Sequence, residues 1–253
     1  MRVGVSLKSV EAAQRNIFSY SMMKSLQLNM LKATLKDYHE MKRSLLEELV
    51  RDSQTSSAGT TMTTSKMLDE VHRAFVANGY MIYDVTAKTV TRLVVHAESL
   101  FGGFAFEVGC AFHPIFNVPY IPGSSIRGAI RAYVEVNNLV RDPAEIFGEA
   151  GEQIGKLMVT DAFPVKSGGL LLEPEVTTPI YKHSAKECAA SPTPIIYPVI
   201  ARNVTFRFIV AMRDLSEEQE RAVKNWITEA LMEGLGGKTM LGYGRMEKEG
   251  TRP

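Results

Sequence analysis

Residues 234–244, GLGGKTMLGYG, set five glycines around Lys238 and Thr239. Glycine reaches positive φ without a Cβ penalty, so such a loop can line successive peptide N–H groups into an anion-binding concavity. Lys238 adds a cation, Arg245 follows it, and Tyr243 offers a ring on which a base can stack. The GKT triplet imitates the nucleotide-binding pattern G-x-x-x-x-G-K-[ST], but that pattern needs glycine at 232, where the chain carries Met232. It also leaves a strand and opens a helix, whereas here a helix is expected to end and a strand to begin. Hydrolysis of a nucleoside triphosphate is therefore not expected. A helix cap at Gly234 explains one glycine of the five. The expectation for the loop is RNA or phosphate contact through Gly236, Gly237, Lys238, Thr239, Tyr243 and Arg245.

A second stretch, HPIFNVPYIPGSSIRGAIR at 113–131, stiffens its approach with three prolines and then starts a helix whose first N–H groups are free. Ser124 or Ser125 is placed to cap that helix, and Arg127 and Arg131, four residues apart, share one face within reach of successive phosphates. A rigid, capped helix start with two solvated arginines explains the same residues, so both readings stay open. His113, before Pro114, fits a hydrogen-bonded loop histidine better than a general base, and is grouped with the RNA-facing residues.

Other candidates are weaker. FGGFAFEV at 101–108 resembles an RNA-recognition consensus, but a glycine replaces the leading basic residue and Glu107 the valine, so core or loop aromatics are expected. His39, His72, His96, His113 and His183 have no metal-ligand spacing, and Cys110 and Cys188 form no C-x-x-C pair. No metal, disulfide or cofactor is expected, and both thiols read as buried and reduced. No G-x-S-x-G or similar nucleophile motif occurs. Glu98 and Glu107 read as solvated carboxylates, and Asp161 as a turn cap.

The totals frame these sites. Lys and Arg number 29 against 28 Asp and Glu, so any grip on polyphosphate must come from a local cluster. No apolar run approaches the roughly 20 residues that span a bilayer, and the first residues lack a secretory signal. A cytoplasmic protein without a membrane segment is expected.

The elements that position the sites follow from periodicity. Residues 17–50 read as a long amphipathic helix with room for one break. SQTSSAGTTMTTS at 53–65 looks like a mobile linker, and a second helix stops at Asn78-Gly79. A strand follows at 89–97, a helix from 124 or 125 to about 137, a short helix at 143–147 and a strand at 154–162. The proline-rich 163–198 reads as an insertion with one hairpin. VTFRFIV at 204–210 turns Val204, Phe206, Phe208 and Val210 inward and Thr205 and Arg207 outward, a half-buried strand. Ser216 and Gln219 form a capping box for a helix ending at Gly234, and a last strand begins near Tyr243. From 89 to 250 the order is βαββαβ. That predicts an α+β fold with a ferredoxin-like, RRM-like core, an added helical segment at 1–80, and an open sheet face suited to RNA.

Three segments together, HPIFNVPYIPGSSIRGAIR, IFG with GKLMVTDAFP, and GLGGKTMLGYGRM, resemble the RAMP superfamily of CRISPR effector proteins. EVTTPIYKH and PTPIIYPVIARNVTFRF narrow the similarity to the sixth subunits of type III-B Cmr complexes, and the likeness covers most of 89–247. Where that family tends to have Asp and then Pro-His-Tyr, this chain has Glu175 and Pro179-Ile180-Tyr181, so the histidine's role does not transfer. Residues 1–80 carry no family motif. The resemblance implies a binding subunit near the end of an antiviral complex, holding the 3′ part of the CRISPR RNA and capping the filament of backbone subunits. Its implied partners are CRISPR RNA, target RNA, the backbone subunit and the other end-cap subunit. Target cleavage in such complexes is credited to a loop aspartate of the backbone subunit, and none follows the first expected strand here. The alternative is a RAMP endoribonuclease, since superfamily relatives cut RNA.

Overall fold

The computed structural model describes residues 16–30, 35–55, 57–95, 101, 106, 108–149, 151, 153–178 and 194–251. Among the described residues three helices come first: α1 (Ile17–Met30), α2 (Leu35–Thr55) and α3 (Ser57–Ala77). The first turn of α1 finds partners for its free N–H groups in two asparagines. Asn16 Oδ1 accepts from the Ser19 N–H at 2.9 Å, and Asn117 Oδ1, from far along the chain, accepts from the Ile17 N–H at 2.6 Å. Asn16 Nδ2 donates to the Pro114 carbonyl, so this end of α1 is pinned to residues 114–117.

The stretch 53–65, expected as a linker, is helical on both sides of residue 56. Its small polar side chains do not need solvent, because the helix backbone takes their hydroxyls. Ser53 Oγ donates to the Val50 carbonyl at 2.8 Å and Thr64 Oγ1 to that of Thr61 at 3.2 Å, and both residues are buried.

The sheet is built from β1 (Met81–Thr89), β4 (Leu157–Val159), β5 (Phe163–Ser167), β8 (Val204–Met212) and β9 (Met246–Thr251). Its order is β4-β8-β1-β9, every neighbouring pair is antiparallel, and β5 also pairs with β8. Two small hairpins stand outside it, β2 (Phe112–His113) with β3 (Val118–Pro119), and β6 (Leu172–Thr177) with β7 (Ile195–Ile200). The helices α4 (Gly123–Val136), α5 (Ala144–Phe147) and α6 (Glu217–Glu233) complete a mixed α+β fold.

Several expectations are corrected. The first strand lies at 81–89, and the β-branched run after it leaves the sheet. Leu93 bridges to Ile200 and Val94 to Gly237, and residues 96–97 lie outside the described residues. The start of the supposed insertion, Phe163–Ser167, belongs to the sheet, and the expected hairpin is β6-β7. Helix α6 keeps its capping box: Ser216 Oγ accepts from the Gln219 N–H and Gln219 Oε1 from the Ser216 N–H.

Both faces of the sheet are covered at its centre. Tyr83, Val85 and Ala87 pair across with Val210, Phe208 and Phe206 on one face, where Lys224 of α6 lies 5.7 Å from the Tyr83 ring centroid. The other face, expected to lie open to RNA, carries Asp84 and Arg207 beneath α3. Arg207 Nη2 is 2.6 Å from Asp84 Oδ2, and Nη1 is 2.7 Å from Asp69 and 3.3 Å from the Ser65 carbonyl. Arg207 is 1% exposed, so neither it nor the buried Thr205 points outward to solvent. All nine residues of β8 are buried, as a central strand covered on both sides requires.

Candidate nucleic-acid interface

The glycine loop leaves α6 at Gly234 and reaches β9 through one 3-10 turn, Thr239–Leu241. Gly236 has φ +83°, and a Cβ there would stand 2.3 Å from the Val94 carbonyl oxygen. At Gly244, φ +79°, it would stand 2.0 Å from that of Leu235. The bare backbone therefore approaches the chain's own backbone at 92–94 and itself. Gly237 N–H donates to the Val94 carbonyl at 2.7 Å, Gly244 N–H to that of Arg92 at 2.8 Å, and Leu235 N–H to that of Gly244 at 3.1 Å. The amides of Gly234, Leu241, Gly242 and Tyr243 also donate to carbonyls of the chain, and that of Arg245 to Thr91 Oγ1. The expected run of inviting peptide amides is thereby corrected: among 234–245 only Gly236 and Lys238–Met240 keep N–H groups without a partner among the described residues.

What the loop presents is side chains. Lys238, at φ 63°, sends its ammonium between two rings, 5.2 Å from the Tyr197 centroid and 5.6 Å from that of Tyr243. It donates to Thr177 Oγ1 at 2.6 Å and to the Tyr197 hydroxyl, which leaves one of its three protons. Arg245, two residues after Tyr243, is exposed, and Met240 and Leu241 form an apolar tip, 97% and 73% exposed.

Behind Lys238 lies a charged joint that no motif announced. Glu175 Oε2 accepts from Tyr243 Oη at 2.7 Å and from Arg92 Nη1 at 2.8 Å, while Arg92 Nε reaches Glu173 at 2.9 Å. Burial pushes the Glu175 carboxyl up, but the hydrogen bonds from Tyr243 and Arg92 outweigh it and hold the group below its ordinary value. The same bond to Glu175, with burial, pushes the Tyr243 phenol up. Arg92 is pushed up chiefly by its hydrogen bond to Glu175. Hairpin β6-β7, the segment at 92 and the glycine loop are thus one unit. The departure at Glu175 was visible in the sequence, but its partners lie too far along the chain for spacing to reveal them.

The second candidate stretch is positioned by α4. Neither Ser124 nor Ser125 caps it. The helix starts at Gly123 after Pro122, and Asp161 Oδ1 accepts the Gly123 N–H at 2.8 Å, so the supposed turn cap serves a helix instead. Ser124 is exposed and Ser125 half-buried. Arg127 and Arg131 are not free cations. Arg127 Nη2 donates to the Phe147 carbonyl, and Arg131 Nη1 to that of Gly148 at 3.3 Å, satisfying the C-terminal end of α5. Arg131 also pairs with Glu135 at 2.6 Å. A groove of ≈ 480 Å³ runs beside them, with Ser124, Gly128 and Glu149 on its walls.

His113 sits in an aromatic nest, stacked on Phe116 at 4.5 Å and edge-on to Phe163 and Tyr120. Its Nδ1 accepts from the Phe116 N–H at 3.2 Å, which fixes the neutral tautomer with the proton on Nε2. Burial lowers its pKa, partly offset by Asp161. Asp161 therefore links His113 to the start of α4, while no hydrogen bond among the described residues joins this group to the glycine loop. Glu98, Glu107, His96, His183 and Cys188 lie outside the described residues, and among those described no cluster of three His, Cys, Asp or Glu side chains fits a metal. No described helix is long and apolar enough to cross a membrane.

The pattern of the RAMP superfamily matches residues 86–247. The chain is 33% identical over 182 residues to the CRISPR system CMR subunit Cmr6 of Saccharolobus solfataricus, a match covering 72% of this chain and 63% of that protein, less than two thirds of its length. One chain of the type III-B Cmr-beta complex bound to cognate target RNA, solved by cryo-electron microscopy, superposes with a TM-score of 0.82 at 27% identity, over 96% of this chain and 93% of that one.

Proposed function

The chain belongs to the RAMP superfamily, and on that premise we propose that it is a non-catalytic, RNA-binding subunit of a type III-B Cmr complex in antiviral defence. It holds the 3′ part of the CRISPR RNA and caps the filament of backbone subunits, with target RNA, the backbone subunit and the other end-cap subunit as further partners. The observation that carries this reading is the superposition on a chain of an RNA-bound Cmr-beta complex, because it extends over 96% of the sequence and so includes the N-terminal helices as well as the superfamily region. The four-strand order β4-β8-β1-β9, with α4 and α6 in the two crossovers, supports the finer reading of the core as ferredoxin-like.

With most loop amides already bonded, RNA contact falls to side chains. Lys238, Arg245 and Tyr243 are assigned to one contact region together with the remaining amides of Gly236 and Thr239, which the approach of Lys238 to the Tyr243 ring supports. Ser124, Ser125, Arg127, Arg131 and His113 are assigned to a second contact region, supported by the groove that Ser124, Arg127 and Arg131 line, where the arginines hold α5 in place and offer only residual donors. Sequence specificity comes from guide pairing and not from this chain.

The test is binding of CRISPR RNA to the reconstituted complex at several salt concentrations. About four neutralised phosphates give a single-strand slope of roughly −3 in log K against log salt, a loss of tens of fold from about 50 to 200 mM. Lys238→Ala together with Arg245→Ala lowers affinity and flattens the slope by about one unit or more. A double variant with unchanged affinity and slope removes the loop from the interface. Cleavage of RNA by the purified chain, with or without Mg²⁺, overturns the non-catalytic assignment.

A further inference from the structure

We propose that the cleft between α6 and the α4–α5 connection is a docking site for a cationic peptide segment of a neighbouring protein chain, anchored by an apolar side chain. The cleft encloses ≈ 650 Å³. Its floor is apolar, made by Val140, Ile146, Ala222 and Trp226, and its rim carries Asp142, Glu145 and Glu218 against the single cation Arg141.

Trp226 points to an occupant. It is 8% exposed, lines the cleft, and has no hydrogen-bond partner among the described residues. Its N–H is not a buried orphan either, since the one buried side-chain nitrogen or oxygen without a partner among those residues is Arg127 Nε. The indole N–H therefore keeps accessible surface and a donor without a partner among the described residues, on a side chain that lines the cleft. A buried tryptophan usually pairs that N–H, and at an interface the pair is supplied by the partner. A backbone carbonyl of an incoming peptide meets this need.

Charge decides the class of partner. Glu217, Glu218 and Glu220 occupy the first turn of α6; Glu217 pairs with Arg221, and Glu218 faces the cleft. Polyphosphate is repelled from such a face, whereas Lys or Arg flanking an apolar anchor is attracted to it. The floor suits one aliphatic side chain. No residue of the glycine loop and neither Arg127 nor Arg131 lines this cleft, although Asp142 on its rim interacts electrostatically with Arg131.

Trp226 is the single tryptophan of the chain, so its fluorescence reads the floor of the cleft directly. The experiment titrates the purified full chain with acetyl-Lys-Leu-Lys-Pro-Leu-Lys-amide, with the same peptide carrying Glu for Lys, and with oligouridylate. The cationic peptide is expected to give a saturable change in emission below about 1 mM, the other two none. The exposed-surface variant Glu145→Lys/Glu218→Lys, checked for native circular dichroism, is expected to weaken that binding at least about fivefold. No saturable response to the cationic peptide, an equal response in the variant, or saturation by oligouridylate each overturns the proposal.

Discussion

Gly236 lies against Val94 so closely that a Cβ on Gly236 would sit 2.3 Å from the Val94 carbonyl oxygen, and the neighbouring Gly237 N–H donates to that same oxygen at 2.7 Å. The contact seats the loop that carries Lys238 on the strand-like segment at 92–94. It ties the glycine content to packing first and to ligand contact second.

Gly236→Ala therefore meets both a left-handed backbone and a collision with backbone that cannot rotate away. We expect a loss of about 2–4 kcal/mol in urea unfolding. Gly242 has a similar φ of +84° but open space around its Cα, so Gly242→Ala isolates the conformational cost, about 1 kcal/mol. Equal losses at the two positions would show that the collision with Val94 contributes nothing.

Arg207 and Asp84 form a pair exposed 1% and 3% at their side chains. Removing one member strands the other. Asp84→Ala is expected to cost about 3–5 kcal/mol, because Asp69 is half-exposed and supplies only part of the compensation. The double change Arg207→Met/Asp84→Leu removes both charges and is expected to fall within about 1 kcal/mol of the native protein. A double variant as unstable as Asp84→Ala would mean that the pair contributes more than mutual neutralisation.

Local signals were legible and distant ones were not. The capping box of α6 is written within four residues, Ser216 to Gln219, and its structure follows the text. Strand β8 was legible from its alternation, yet the burial of Arg207 was not, because Asp84 lies 123 positions away and α3 covers the face. Strand β1 carried the same alternation, Tyr83, Val85 and Ala87 against Asp84, Thr86 and Lys88, but the β-branched run after it drew the assignment. The glycines announced positive φ. What they approach, Val94 and Leu235, depends on how segment 92–94 returns beside the loop, which no spacing encodes. The linker expectation failed for the opposite reason: Ser53 and Thr64 satisfy their hydroxyls within their own helices, a choice open to small polar residues in either conformation.

His113 is expected to titrate below its ordinary value, as burial in its aromatic nest disfavours the imidazolium. Asp161 opposes that effect, so Asp161→Asn should lower the midpoint further, read from the His113 ring protons by NMR. Because the folded value is depressed, the stability His113 contributes is present above its unfolded value near 6.5 and is lost as pH falls through the folded one. A midpoint that rises in Asp161→Asn would contradict the assigned electrostatics.

Glu175 gives a second acid-side dependence at lower pH. Its folded value is held below 4.5 by Tyr243 and Arg92 in spite of burial, so the unfolded chain takes up its proton first as pH falls. The stabilisation is full above the unfolded value and disappears as pH drops through the folded one. Glu175→Gln keeps the shape but weakens the bonds from Tyr243 and Arg92, and it should lower stability at pH 7 while flattening the decline below about pH 4.5. Tyr243 then loses its chief upward influence, so its phenol should titrate at lower pH in the variant, measurable by absorbance of the phenolate. Urea midpoints collected between about pH 3 and 7 follow both groups, since the His113 dependence begins below 6.5 and that of Glu175 only below 4.5. If Glu175→Gln leaves the acid limb unchanged, the joint between the glycine loop and hairpin β6-β7 does not depend on this carboxylate, and rests on the contacts of Lys238 with Thr177 and its two tyrosines.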